Sequence, residues 1–342
     1  RLGYKNAMLI GLALVTAAVL GMYAGNAFWA AKLLFMSVGA AFALIKVSVY
    51  STIGLLTKTP REHNSLMSSI EGFFMVGITF AYFLFPFFNE EGAPDSWLNV
   101  YLFLALLSTL SFLFLYFSKF EKPAEIPGAN LKDDFSAMIK LMAQMLVLVF
   151  VISAFLYVMV EQGIMTWLPT FNERVLNLPE NLAIIMASIL TISIAVGRLS
   201  AGFLVKYMSW YTLLAGCMLL AMAMVWFVLP RAINAQISVV ETLADIPLIG
   251  YAFPIVGLFL APIYPLINSA VLSALPNKLH SPMSGLIIIF SALGGTLGSR
   301  LIGYLFKNMG AEKAFTYTLI PMLCLFLALT ALRRLTRNAE TG

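Results

Sequence analysis

Ten long apolar segments, separated by short polar breaks, make up most of the chain. They cover roughly residues 7–25, 28–57, 65–88, 97–118, 142–172, 181–206, 209–229, 247–275, 282–306 and 313–333. A helix needs about 20 apolar residues to cross the hydrocarbon core of a bilayer, and these segments have that length. The breaks contain residues that end helices, as in "TKTPREH" at 57–63 and "PNKLHS" at 276–281. The pattern predicts an all-α, polytopic membrane protein with ten transmembrane helices.

The composition agrees with a membrane location. Hydrophobic residues make up 61% of the chain and charged residues 11%, whereas soluble domains carry about 25% charged residues. The two cysteines, Cys217 and Cys324, lie in apolar segments without the spacing of metal ligands, so we expect no disulfide and no metal site. We also expect no cofactor. The net charge of +5 reflects the orientation of the loops, and we expect no nucleic-acid partner.

Lys and Arg residues are distributed unevenly between the two sets of loops. If the first residues are cytoplasmic and the helices alternate in direction, most loop Lys and Arg residues lie on the cytoplasmic side. The opposite side then holds only Arg174, Arg231, Lys307 and Lys313. This bias follows the positive-inside rule. It predicts a multi-pass protein of the plasma membrane, a bacterial inner membrane, with both ends of this chain in the cytoplasm.

One polar segment, "SKFEKPAEIPGANLKDDFSAMIK" at 118–140, is longer and more charged than the other breaks. Four apolar segments precede it and six follow. Secondary transporters often consist of two repeated helical halves. We therefore predict a partial N-terminal bundle of four helices at 1–118, a cytoplasmic loop at 119–141 and a six-helix bundle at 142–342. Two further helices are expected before Arg1. A protein with ten helices in total is the alternative.

Four stretches resemble the major facilitator superfamily, in particular its branch of fucose–hexose–proton symporters. "RLGYKNAMLIGLAL" at 1–14 is similar to the residues that lead into the family's third helix, and "FLYVMVEQGIMTWLPTF" at 155–171 to its seventh. "VGRLSAGFLVKYMSWYTLL" at 196–214 resembles the junction of helices eight and nine, and "LFLAPIYPLINS" at 258–269 the tenth helix. The resemblance implies the major facilitator fold, with the visible helices as helices 3–12 of a 6+6 arrangement. It also implies a proton-coupled transporter, which we expect to be monomeric.

The chain departs from the sugar symporters in two helices. Their fourth helix carries a carboxylate or Gln followed by Asn-Pro, whereas "IKVSVYS" places Lys46, Tyr50 and Ser51 at these positions. Their fifth helix has a Gln where this chain has Glu71. These changes put sugar specificity and proton coupling through the fourth helix in doubt.

Charged side chains inside apolar segments are the first candidates for a functional site. A charge at the bilayer centre costs roughly 2.5–3.5 kcal/mol on insertion scales, so it faces a cavity or a partner. Lys46 and Glu71 are expected to bind substrate, as a switchable ion pair lining a cavity or with Lys46 holding an anion. A static pair is the alternative. Glu161 is the candidate for proton coupling, and its alternative role is a hydrogen bond to a neighbouring helix.

Glycines accompany two further sites of interest. Arg198 stands beside Gly197 and Gly202, and by resemblance this group belongs to a gate motif, for which we expect a structural role. Gly294 and Gly298 are four residues apart, a spacing that usually indicates close helix packing.

Aromatic and amide side chains near prolines complete the candidate solute site. Pro262 and Pro265 should break their helix, and irregular backbone within a membrane is tolerated only beside a cavity or inside protein. Four side chains join Lys46 and Glu71 as predicted substrate contacts, with a lipid-facing position, core packing or an interhelical contact as their alternative roles. These are Tyr157, Trp167, Tyr264 and Asn268.

Taken together, the residues and the resemblance predict a secondary active transporter. It would move a small polar solute, either sugar-like or a small organic anion, by alternating access, with a proton or another ion as the coupling partner. The alternatives are an exporter of amphipathic compounds, a membrane enzyme and a membrane protein without a transport function. The chain contains no HExxH, GxSxG or Walker-type motif, and its two histidines, His63 and His280, are expected in loops. We therefore do not expect an enzyme.

Overall fold

The computed structural model describes residues 3–25, 27–88, 95–119, 131–234, 242–276 and 279–341. All regular secondary structure in these ranges is helical. Within them, 10 helical segments are long and apolar enough to cross a membrane, which confirms the predicted number. The helices are α1 (Tyr4–Gly25), α2 (Phe28–Leu56), α3 (Pro60–Phe88), α4 (Asn99–Phe117), α5 (Leu131–Met142), α6 (Met145–Arg174), α7 (Glu180–Leu204), α8 (Trp210–Ala223), α9 (Leu229–Ile233), α10 (Leu248–Ala252), α11 (Val256–Leu260), α12 (Ile263–Ser273), α13 (His280–Met309), α14 (Ala311–Thr316) and α15 (Leu319–Thr341).

Prolines explain two of the interrupted membrane segments. Between α8 and α9 the turn Met224–Val228 widens to a π-helix, and Pro230, which has no backbone N–H, follows immediately. The segment from Leu248 to Ser273 consists of α10, α11 and α12, with breaks that contain Pro254 and Pro262. Phe253, Pro254, Ala261 and Pro262 at these breaks are buried, so the backbone freed there lies inside protein, as membrane depth requires.

Two sequence expectations about proline and histidine are wrong. Pro265 lies within α12 and does not break it. His63 and His280, expected in loops, lie in α3 and at the first residue of α13, and both are buried. His63 is helical because α3 begins already at Pro60. Proline suits the first turn of a helix, where its missing N–H would have no intrahelical partner.

The chain forms two compact units. The first comprises Arg1–Leu56, Phe83–Met138 and Asn277–Ile288, and the second Thr57–Tyr82, Ile139–Pro276 and Ile289–Gly342. The division at 1–118, 119–141 and 142–342 remains a prediction. Residues 120–130 of the predicted loop lie outside the described residues, and α5 occupies the part that follows.

The first unit is built around α1, α2 and α4. A small apolar core joins these helices, with Val19, Met22, Leu34 and Ala105 among its buried members. Polar contacts tie α1 to α4 near this core and near one end: the hydroxyls of Thr16 and Ser108 lie 2.8 Å apart, and Lys5 Nζ donates to two backbone carbonyls at the end of α4. These carbonyls belong to Tyr116 and Ser118, at 2.8 and 2.7 Å.

The second unit is built around α6. This helix packs against α7, α12 and α15, and it also approaches α13 so closely that Gly294 and Gly298 touch its backbone. Because α6 and α7 carry Glu161 and Arg198, this packing brings two charged side chains into a buried interior.

Candidate functional site: a buried carboxylate–arginine cluster

Arg198 on α7 joins two carboxylates that belong to two other helices. Its Nη1 donates to Glu71 Oε2 on α3 at 2.8 Å, and its Nη2 donates to Glu161 Oε1 on α6 at 2.7 Å. The exposed fractions of the three side chains are 3% for Arg198, 3% for Glu71 and 7% for Glu161. Two carboxylates and one guanidinium carry a net charge of −1 among themselves when all three are ionised.

Tyr157 adds a donor to the same site. It lies one turn before Glu161 on α6, and its hydroxyl donates to Glu161 Oε1 at 2.5 Å. The Oε1 atom therefore accepts hydrogen bonds from both Tyr157 and Arg198. The other oxygen of Glu161, Oε2, accepts no hydrogen bond within the described ranges. Oε2 is thus the atom of this carboxylate on which a proton can reside without displacing either donor.

The guanidinium of Arg198 lies over the ring of Tyr264 on α12. This ring stacks on that of Tyr157 with centroids 5.6 Å apart and an interplanar angle of 24°. The Cζ of Arg198 lies 5.7 Å from the centroid of Tyr264, a distance at which a cation and a ring attract each other. The hydroxyls of Tyr264 and Ser291 are 3.1 Å apart. We call Glu71, Tyr157, Glu161, Arg198 and Tyr264 the Arg198 cluster.

Glycines allow the helices of the cluster to approach each other. A Cβ added at Gly197 would lie 2.5 Å from the carbonyl oxygen of Leu258, and one at Gly202 would lie 3.1 Å from that of Ser65. A Cβ at Gly72 would lie 2.6 Å from the side chain of Leu199. These glycines bring α7 against α3 and α11. Their packing fits the structural role predicted for Gly197 and Gly202, whereas a role in gating remains a prediction.

The other predicted site residues lie outside the Arg198 cluster. Trp167 donates from Nε1 to the carbonyl oxygen of Ser299 at 2.8 Å, and its ring lies 5.3 Å from that of Phe306. Asn268 is fully buried on α12. It is followed by Ser269, whose hydroxyl forms a 2.5 Å hydrogen bond with Nδ1 of His63.

Lys46 belongs to the first unit, on α2. Its Nζ lies 5.0 Å from the ring centroid of Phe42 and 5.3 Å from that of Tyr50. Glu71 belongs to the second unit, and its pairing with Lys46 remains a prediction. What sequence reasoning missed is that Arg198 binds both Glu71 and Glu161. The sequence did contain a signal for this contact. Arg198 is a second cation in an apolar segment, besides Lys46, and no carboxylate had been assigned to it.

Comparison with known proteins gives the family. The sequence model of the Major Facilitator Superfamily matches residues 1–299. The chain belongs to this superfamily. A search of curated proteins finds no significant match. The E. coli fucose:proton symporter FucP has a similar structure, with a TM-score of 0.73 and 15% identity over 96% of this chain and 84% of that one.

Two other solved structures are comparably similar. The human organic anion transporter MFSD10 (TETRAN) has a TM-score of 0.72 and 16% identity over 96% of this chain and 77% of its own. The proton:xylose symporter XylE, bound to 6-bromo-6-deoxy-D-glucose, has a TM-score of 0.72 and 15% identity over 96% and 79%. At these identities the likeness shows the fold alone. The chain is therefore a multi-pass membrane protein with the fold of a transporter.

Proposed function

We propose that this protein is a secondary active transporter that moves a small polar solute by alternating access, with protons as the coupling ion. The observation that carries the proposal is the Arg198 cluster. Charges buried this deeply in membrane helices usually mark substrate or ion pathways. The structural neighbours include symporters of fucose and xylose with protons and a transporter of organic anions, so both solute classes are compatible with the fold.

The coupling step that we propose is protonation of Glu161. An ionised Glu161 holds Arg198 through a charge-assisted hydrogen bond, and such bonds are roughly twice as strong as neutral ones. A proton on Oε2 would remove that charge and weaken the hold of α6 on α7. Arg198 also binds Glu71 on α3, so the protonation state of Glu161 influences contacts between three helices. Alternating access requires such contacts to change during the cycle.

The proposal is tested by uptake into proteoliposomes that contain the full chain. Radiolabelled sugars and small organic anions are offered under an inward proton gradient and without one. One pH unit corresponds to about 1.4 kcal/mol, which supports roughly tenfold accumulation at one proton per solute. Accumulation of a panel member that collapses with a protonophore supports the proposal. Uptake that only equilibrates, with or without the gradient, would contradict proton coupling.

Glu161→Gln should separate solute binding from coupling. The amide oxygen of Gln can still accept hydrogen bonds from Tyr157 and Arg198, so the fold and solute exchange at equal pH should be retained. Gradient-driven accumulation should be lost because Gln cannot take up the proton. Glu173→Gln is the matched control, since Glu173 is an exposed carboxylate on the same helix. Accumulation by Glu161→Gln at the wild-type rate would rule out Glu161 as the coupling residue.

A further inference from the structure

We infer that the solute is a small monocarboxylate, which takes the place of Glu71 on Arg198 during the transport cycle. This inference rests on the proposed transport function and adds the substrate class. It follows from the charges of the Arg198 cluster and from the donors of the Arg198 side chain.

The charge balance changes when Glu161 takes up a proton. An arginine side chain in a protein stays ionised, because its guanidinium is not deprotonated in proteins. With Glu161 neutral, Glu71 is the remaining anion that contacts Arg198 through a hydrogen bond in the described residues. When α3 separates from α7, this anion leaves as well. A buried cation without an anionic partner is strongly destabilising, so a solute that supplies a carboxylate would allow this step.

The geometry of Arg198 suits such an exchange. A guanidinium has five N–H donors in one plane and binds carboxylates through two parallel hydrogen bonds. Here Nη1 faces Glu71 and Nη2 faces Glu161, while the buried Nε has no hydrogen-bond partner within the described chain. Departure of Glu71 would leave the N–H donors of Nη1 without their acceptor and available to a second carboxylate.

The aromatic residues help to hold the Arg198 side chain in place. The Arg198 guanidinium lies over the ring of Tyr264, which stacks on the ring of Tyr157. Tyr157 is in turn held by Glu161. The Arg198 side chain is therefore held before a solute arrives, and its N–H donors point outward along the edge of the guanidinium. The hydroxyl groups of a neutral sugar could accept these hydrogen bonds but would supply no negative charge.

The net charge that moves with one proton differs between a monocarboxylate and a neutral solute. One proton entering with one monoanion moves no net charge, so uptake should respond to a pH gradient and not to a membrane potential. One proton entering with a neutral sugar moves one positive charge. A potential of 100 mV is worth about 2.3 kcal/mol per charge, which would favour such uptake roughly fiftyfold.

The test uses matched pairs that differ by a carboxylate: D-glucuronate with D-glucose, and D-galacturonate with D-galactose. Uptake by proteoliposomes with the full chain is measured under a pH gradient and, separately, under an interior-negative potassium potential set with valinomycin. We expect gradient-driven uptake of a uronate, no uptake of its sugar partner and no response to the potential. Uptake of the sugar alone, or acceleration by the potential, overturns the inference but leaves the transport function standing. No uptake of any member counts against both.

Glu71→Gln supplies a second test, because it removes the anion that competes for Arg198 and keeps a similar shape. Binding of the transported uronate, measured by thermal stabilisation in detergent, should tighten by roughly 10- to 150-fold, which is the factor that corresponds to the about 1.5–3 kcal/mol of a hydrogen bond to a charged group. Glu173→Gln, on the surface of α6, should bind as the wild type does. Unchanged or weaker uronate binding by Glu71→Gln would contradict the competition. If this variant fails to fold, the wild-type measurements under gradient and potential still decide the question.

Discussion

Replacing Arg198 with Gln is expected to lower the stability of the protein by about 3–5 kcal/mol, the usual cost of removing one partner from a buried ion pair. Glu71 and Glu161 would remain buried on α3 and α6 without the guanidinium between them, and each would lose a hydrogen bond of 2.7–2.8 Å. The measurement is the thermal unfolding midpoint in detergent, together with the yield of monodisperse protein. We expect a clear fall in both.

Two controls separate the loss of the ion pairs from the loss of a side chain. Arg300→Gln changes an exposed arginine on α13 and should leave stability within about 0.5 kcal/mol, as surface substitutions usually do. A triple variant that combines Arg198→Gln with Glu71→Gln and Glu161→Gln removes all three charges at once. It should recover most of the stability, because replacing a whole buried ionic group costs far less than breaking it. A triple variant as unstable as Arg198→Gln alone would show that the charges are not the cause.

Much of the fold follows directly from the sequence. Each of the 10 membrane-spanning helices in the described ranges is visible as an apolar segment of suitable length, because a helix satisfies its own backbone hydrogen bonds within the bilayer. The family resemblance in 1–14, 155–171, 196–214 and 258–269 is also confirmed by the match to the superfamily. Helix α5 was not predicted. It lies in a charged segment, and the sequence signals used for membrane helices do not detect a short helix of that kind.

The partners within the site were harder to predict than the residues. Lys46, Glu71, Glu161 and Arg198 were all recognised, because an ionisable residue in an apolar segment is rare and costly. Their pairing depends on which helices lie side by side and at what depth, and a sequence alone does not give this. Glu71 was matched with Lys46 from their depths in adjacent segments, while the structure shows its 2.8 Å contact with Arg198, which is 127 positions away.

The contacts of Tyr157 and Tyr264 likewise depend on which helices lie side by side. Both were predicted as substrate contacts from their positions near prolines and polar residues, and that role remains a prediction. Their mutual stacking and the contact of Tyr264 with Arg198 arise because α6, α7 and α12 meet. The i, i+4 spacing of Tyr157 and Glu161 on α6 was a local signal for their hydrogen bond, because residues with this spacing lie on the same face of a helix.

Gly298→Ala is expected to destabilise the contact between α6 and α13 by about 3 kcal/mol, the upper end of the range for overpacked interiors. A Cβ at Gly298 would overlap with the carbonyl oxygen of Met159 and lie 2.7 Å from its Cα. Because these atoms belong to the backbone of α6, no side-chain rotation can relieve the clash, and the two helices must move apart. Gly294, one turn earlier, meets the backbone of Phe155 in the same way, so the displacement would also open that contact.

The matched control is Gly216→Ala on α8, where an added Cβ meets nothing within 4 Å. Alanine is the better helix former, by roughly 0.5–1 kcal/mol in soluble proteins, so this variant should unfold at the wild-type temperature or slightly above it. Thermal unfolding of both variants in the same detergent makes the comparison direct. If the two variants unfold at the same temperature, the close approach of α6 and α13 is not required for stability. If Gly298→Ala unfolds at a clearly lower temperature, the helix that carries Glu161 and Tyr157 depends on its packing against α13. Gly298→Ala should then also weaken the proposed proton-driven uptake.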